Sequence, residues 1–197
     1  MNYLAHFHLA WPEESLVVGG LEGDFHKGPL PGKLAPSLHD GVALHRAIDA
    51  YTDSHPCVAE ARRRFPAELR RYAGILIDLC FDHFLTQHWS SFSKLSRLEF
   101  NAEVYAMLGR HSDLLSQPAR HMAERLQEFD VLMRYEHFDT IIGSAERIGQ
   151  RFKHSNPMHR SGELLPALLP ELEQTFLVFY PELIGFSRRS AMLADPE

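Results

Sequence analysis

The sequence predicts an all-α fold, a single-domain helical bundle over residues 1–197, on three observations. Prolines stand where helices begin, at Pro56, Pro66, Pro118 and Pro181, positions at which a missing backbone N–H costs little. Between them the apolar residues recur at helical spacing, and no stretch alternates in the manner of a strand. At 197 residues and 45% hydrophobic content, the chain can bury one continuous core without a disulfide or a structural metal.

Helices are expected near 2–10 and 13–22, followed by the Gly- and Pro-rich loop "HKGPLPGKLAPS" at 26–37. Ser37, with Asp40 three residues later, makes a capping-box-like start for a helix running to about Asp53. Further helices are expected at 56–64, 67–90, 97–110, 118–135 and 139–153. After the loop "KHSNPMHRSGE" at 153–163 come 166–180 and a terminal helix from about 181.

Several function classes drop out at this stage. No apolar run reaches the 18 or so residues that span a bilayer, and the N-terminus lacks the basic region of a signal peptide, so a soluble cytoplasmic protein is expected. The net charge of −6 argues against general nucleic-acid binding. Cys57 and Cys80 lack metal or redox spacing and read as buried free thiols. Walker A, G-x-S-x-G and HExxH motifs are absent.

The stretch "ILIDLCFDHFLTQHW" at 75–89 poses the chemical question, because it reads as a central helix that nevertheless carries Asp78, Asp82 and His83. At 100° per residue Asp78 and Asp82 lie 40° apart on one face beside the notch of Gly74, and His83 lies 100° beyond Asp82. Two buried carboxylates on adjacent turns demand a positive partner, from arginines or a metal ion. The helix ending near Asp53 offers a matching stripe of His45, Asp49 and Asp53 at intervals of four, while Asp24 and His6 offer a further carboxylate and imidazole. Carboxylates with imidazoles and no thiolate suit a hard cation: Mn²⁺ first, with Mg²⁺ or Fe²⁺ also fitting. The remaining histidines, His8 and His26 among them, read as surface or structural. Arg62, Arg63, Arg64, Arg70 and Arg71 form a basic run that is either a solvated face with local acidic partners or a docking surface for an acidic partner.

"MNYLAHFHLA", the Gly-Asp at 23 and 24, "LHRAIDAYTDSHP" at 44–56, "ILIDLCFDHFL" at 75–85 and the His-Trp at 88 and 89 resemble the bacterial acyl carrier protein phosphodiesterase family. The resemblance implies an all-helical relative of the His-Asp domain metal phosphohydrolases. It implies Mn²⁺-dependent hydrolysis of the phosphodiester that joins 4′-phosphopantetheine to a serine of holo-acyl carrier protein. Carried over residue by residue, it points to Asp24, His45, Asp49, Asp78, Asp82 and His83 around the metal. It also points to His6, Arg46 and Asp53 in catalysis, with Arg46 clamping phosphate oxygens. Acyl carrier proteins are acidic, so the resemblance gives the arginine run from Arg62 to Arg71 a partner to dock. One departure is visible: Gly19-Gly20 stands where members commonly have Gly-Asn. The alternatives are a phosphohydrolase of a nucleotide or other small phosphate ester, and a non-catalytic helical module that binds carrier protein.

Overall fold

The computed structural model describes residues 1–30 and 34–194, and among these every regular element is helical. Twelve α-helices follow one another: α1 (Tyr3–Ala10), α2 (Glu14–Gly23), α3 (His39–Ser54), α4 (Pro56–Arg64), α5 (Ala73–Gln87), α6 (Trp89–Phe92), α7 (Arg97–Arg110), α8 (Gln117–Glu128), α9 (Val131–Arg134), α10 (Phe138–Gln150), α11 (Ser161–Leu164) and α12 (Leu169–Ala194). Three 3-10 turns, Pro36–Leu38, Arg70–Tyr72 and Pro157–Arg160, bridge some of them. No helix among the described residues is long and apolar enough to cross a membrane.

The prolines at 56 and 118 occupy first turns as expected. Pro181 does not: it lies inside α12, which runs unbroken from Leu169. An interior proline removes one backbone hydrogen bond at a cost of about 3 kcal/mol. Phe176, Phe179, Tyr180 and Leu183 are wholly buried on both sides of it, and their burial outweighs that cost.

The helix expected at 67–90 is shorter. Pro66 opens a turn closed by the Leu69 N–H on its carbonyl, a 3-10 turn follows, and α5 starts only at Ala73. The helix expected at 118–135 breaks at Asp130, whose φ of 43° is left-handed, a conformation short polar residues tolerate. Ser37 caps nothing. Pro36 starts a 3-10 turn instead, and the full capping box belongs to Ser96 and Glu99 at the head of α7.

α5 is central, as its apolar circumference requires: Leu76, Ile77, Leu79, Cys80, Phe81, Phe84 and Leu85 are all buried. It packs against α1, α10 and α12, while α2 lies along α3. That last crossing is unusually close because glycines face each other. A Cβ on Gly19 would stand 2.7 Å from the Leu38 carbonyl oxygen and 2.8 Å from the Gly41 Cα. The close approach brings the C-terminal end of α2, with Asp24, beside the middle of α3, with His45 and Asp49. Of the two thiols, Cys80 is buried and its pKa is pushed up to about 12, whereas Cys57 is only half-buried, beside His55.

Candidate metal centre

The structure brings His6 from α1, His45 and Asp49 from α3, and Asp24 from the end of α2 into one cluster. Asp49 is its hub. One carboxylate oxygen accepts from His6 Nε2 at 3.1 Å and the other from His45 Nε2 at 3.2 Å. Asp24 lies 3.8 Å from the same His45 nitrogen. The two imidazoles stack with centroids 4.0 Å apart and planes within 19°. Donor atoms of His6, His45 and Asp49 all lie within 4.8 Å of one another, a separation that one ion can bridge.

Two imidazoles and a carboxylate, with a second carboxylate adjacent, fit Mn²⁺ or Fe²⁺ better than a structural zinc. Buried polar atoms without partners support the fit: Nδ1 of both His6 and His45 is buried and unpaired. Burial drives the His6 pKa down to about 3, so its ring is neutral and able to ligate. Burial opposes ionisation of Asp49. Even so, hydrogen bonds from His45 and His6 and the charge of the Met1 α-ammonium hold its carboxyl well below the usual range. Burial raises the pKa of Asp24, opposed by His45.

Asp78 and Asp82 share a face, as their spacing requires, but that face meets the start of α1. Asp78 lies 3.1 Å from the Met1 α-amino group, which also approaches Asp49 at 3.3 Å. Both oxygens of Asp82 accept backbone N–H groups, from Leu4 at 2.9 Å and Ala5 at 3.1 Å. Burial pushes the Asp82 carboxyl up to about 7 despite those two donors. The carboxylates expected to surround an ion thus hold the first turn of α1, and through it His6. The positive groups that α5 demanded are an ammonium and the amide end of a helix.

The other expected site residues stand apart from the cluster. His83, a 100° step round α5, donates Nδ1–H to the Tyr135 carbonyl at 2.8 Å. Asp53 lies eight residues beyond His45, about 12 Å along the axis of α3. Its side chain is 69% exposed and pairs with Arg62, whose guanidinium also fills the notch at Gly74. The rest of the arginine run is engaged within the chain: Arg63 with Glu60, Arg64 with Glu171, and Arg70 with the carbonyls of Arg63 and Phe65. Arg71 is exposed.

Above the cluster opens a pocket of about 300 Å³ lined by Asp24, His45, Asp49 and Arg46, and also by His26, Lys27 and Gly28. Arg46 is half-buried and donates to the His26 carbonyl at 2.9 Å, tying the loop to α3. His26 itself carries a buried, unpaired Nε2. Reading the sequence missed it, although it follows Asp24 by two residues in the turn that ends α2. His8, another of the histidines read as surface or structural, is structural: it donates to the Phe92 carbonyl and meets the Tyr180 hydroxyl at 2.8 Å.

A profile of the family described as "Acyl carrier protein phosphodiesterase" matches residues 1–183. Curated relatives named acyl carrier protein phosphodiesterase from Escherichia coli strain SMS-3-5 and from Escherichia coli O157:H7 are each 34% identical over 197 residues, covering 98% of this chain and all of the relative. No solved structure matches the chain.

Proposed function

This chain belongs to the acyl carrier protein phosphodiesterase family, and from that premise we propose that it hydrolyses the phosphodiester between 4′-phosphopantetheine and the serine of holo-acyl carrier protein, with Mn²⁺ at the His6, His45 and Asp49 cluster. The observation that carries the reading is the convergence of two imidazoles and a carboxylate from two helices beneath a pocket edged by Arg46 and Lys27. His6, His45 and Asp49 hold the ion, with Asp24 as the adjacent fourth donor. The ion supplies Lewis-acid neutralisation of phosphate charge and lowers the pKa of water.

The protein's own groups then divide the work. Arg46 and Lys27 draw the anionic diester into the pocket and orient its non-bridging oxygens. Water adds to phosphorus and the bond from phosphorus to the serine oxygen breaks. The products are 4′-phosphopantetheine and apo-carrier protein. The departing alkoxide needs a proton, and His26, which lines the pocket and has an Nε2 without a partner, is assigned to supply it. Asp78 and Asp82 act one step back by fixing α1 and hence His6.

The test is incubation of holo-acyl carrier protein with the purified protein, with and without Mn²⁺, followed by intact mass. Loss of the phosphopantetheine arm only when the metal is present is the expected result. An unchanged mass under both conditions overturns the reading.

A further inference from the structure

We infer that the acidic carrier protein docks in a second cleft, between α8, α9, α10 and the first turn of α1, and that the Arg62–Arg71 run is not its main contact. The inference rests on the proposed function in taking the carrier protein as partner. The cleft encloses about 570 Å³, with Leu79, Leu126 and Ile148 among its apolar lining and Arg125, Arg134, Arg147 and Arg151 among its polar lining.

What separates this cleft from other basic surfaces is that four free charges line it together. Arg125, Arg134, Arg147 and Arg151 are all exposed. Among the described residues none of the four forms an ion pair. Arg147 donates to the Ser144 hydroxyl and Arg125 lies 5.5 Å over the Phe129 ring. Elsewhere Arg62 is neutralised by Asp53, Arg63 by Glu60, Arg64 by Glu171, Arg97 by Glu136 and Arg160 by Glu68 and Glu163, and Arg70, Arg71, Arg120, Arg188 and Arg189, which lack an ion pair among the described residues, line neither this cleft nor the pocket at Arg46. On a chain with net charge −6, four unpaired guanidinium groups on one cleft are a concentrated positive field. One carboxylate, Asp139, lines the cleft with them.

Charge and shape together select the occupant. The arm beyond its phosphate is neutral and would leave four cations unmatched, whereas an acidic helix offers carboxylates to the rim and apolar side chains to the floor. Position agrees. Tyr3 lines the cleft, and its phenol, already raised by burial, feels Asp24 from the metal-centre side and Arg151 from the cleft side. A carrier protein held here lies against Tyr3 on α1, the helix that also carries His6 of the cluster.

The experiment uses the whole protein and two double variants, Arg134→Glu with Arg147→Glu, and Arg63→Glu with Arg64→Glu, each checked for wild-type melting. Binding of fluorescently labelled apo-acyl carrier protein is followed by anisotropy, and cleavage of holo-carrier protein is compared with cleavage of bis(4-nitrophenyl) phosphate. The cleft variant is expected to lose affinity at least about tenfold, and to lose correspondingly more activity on holo-carrier protein than on the small diester. The Arg63 and Arg64 variant is expected to shift affinity less than about threefold. Unchanged affinity in the cleft variant, a larger loss in the Arg63 and Arg64 variant, or a wild type that fails to bind the carrier protein overturns the proposal. A wild type that cleaves holo-carrier protein while the cleft variant binds normally sinks the cleft and leaves the activity standing. Binding that depends on the cleft without cleavage supports the cleft and removes the phosphodiesterase.

Discussion

Replacing Asp82 by alanine should unfold the protein more readily, and the size of the effect follows from two hydrogen bonds. In the folded chain its carboxyl, fully buried, receives the Leu4 N–H at 2.9 Å and the Ala5 N–H at 3.1 Å, both otherwise orphaned at the start of α1. Leaving a buried donor unsatisfied costs about 1–3 kcal/mol, so two cost about 2–6 kcal/mol. Removing a buried carboxyl whose pKa is already raised to about 7 returns part of this, and a net loss of about 3 kcal/mol is expected. For a chain of this length that lowers the melting temperature by roughly 6–12 °C. Asp82→Asn keeps one acceptor oxygen and should lose about half as much. Urea denaturation followed by far-UV circular dichroism reads both variants, with the midpoint falling and the slope unchanged. An Asp82→Ala protein of wild-type stability that has lost Mn²⁺ would refute the capping role and make Asp82 a direct metal ligand.

Three further outcomes are expected. Asp49→Ala should cut Mn²⁺ affinity by more than about a hundredfold in isothermal titration, since Asp49 joins both histidines, and chelation of the wild type should give the same loss of cleavage. Uptake equal to wild type would remove Asp49 from the site. Gly19→Ala should destabilise by about 1–3 kcal/mol through its clash with Leu38 and Gly41. Gly20→Ala, whose Cβ would meet nothing within 4 Å, should gain up to about 1 kcal/mol of helix propensity, so equal denaturation midpoints for the two would refute the glycine crossing. His8, with its pKa lowered to about 4 by burial, stays neutral in the fold while the unfolded chain takes a proton near pH 6.5. Stability should therefore fall as pH drops from about 6.5 to 4, by up to about 3 kcal/mol, and His8→Gln should flatten that slope; an unaltered slope counts against it.

Within single helices the sequence was a reliable guide. The four-residue step from His45 to Asp49 predicts that both side chains share one face, and they meet there at 3.2 Å. The same step predicts a shared face for Asp78 and Asp82, and that face exists. Proline at 56 and 118 marked helix starts because a first turn has no use for the missing N–H. Pro181 misled because the burial of its neighbours is a long-range property that no local preference records.

Distance along the axis and partner identity were less legible. Asp53 continues the stripe in projection, yet sits one turn past Asp49 and two past His45, and is held by Arg62. His26 was overlooked because a loop histidine has no periodicity, and only the turn after α2 with the Arg46 tether puts it in the pocket. Local acidic partners and a docking surface both stayed open for the basic run, because one of its partners, Glu171, lies 107 residues from Arg64.

Helical spacing was enough to predict an all-helical chain and, through its 100° step, which side chains share a face. The sequence also required that the charges on α5 meet opposite charge, since burial without it is too costly. Which charge they meet was decided by tertiary structure alone, because helical periodicity fixes directions within a helix but not its rotation or axial shift against another. The glycine crossing of α2 and α3 set one such shift and gathered Asp24, His45 and Asp49. The docking of α1 on α5 set another, giving Asp78 and Asp82 to a helix end and placing His6 beside His45 and Asp49.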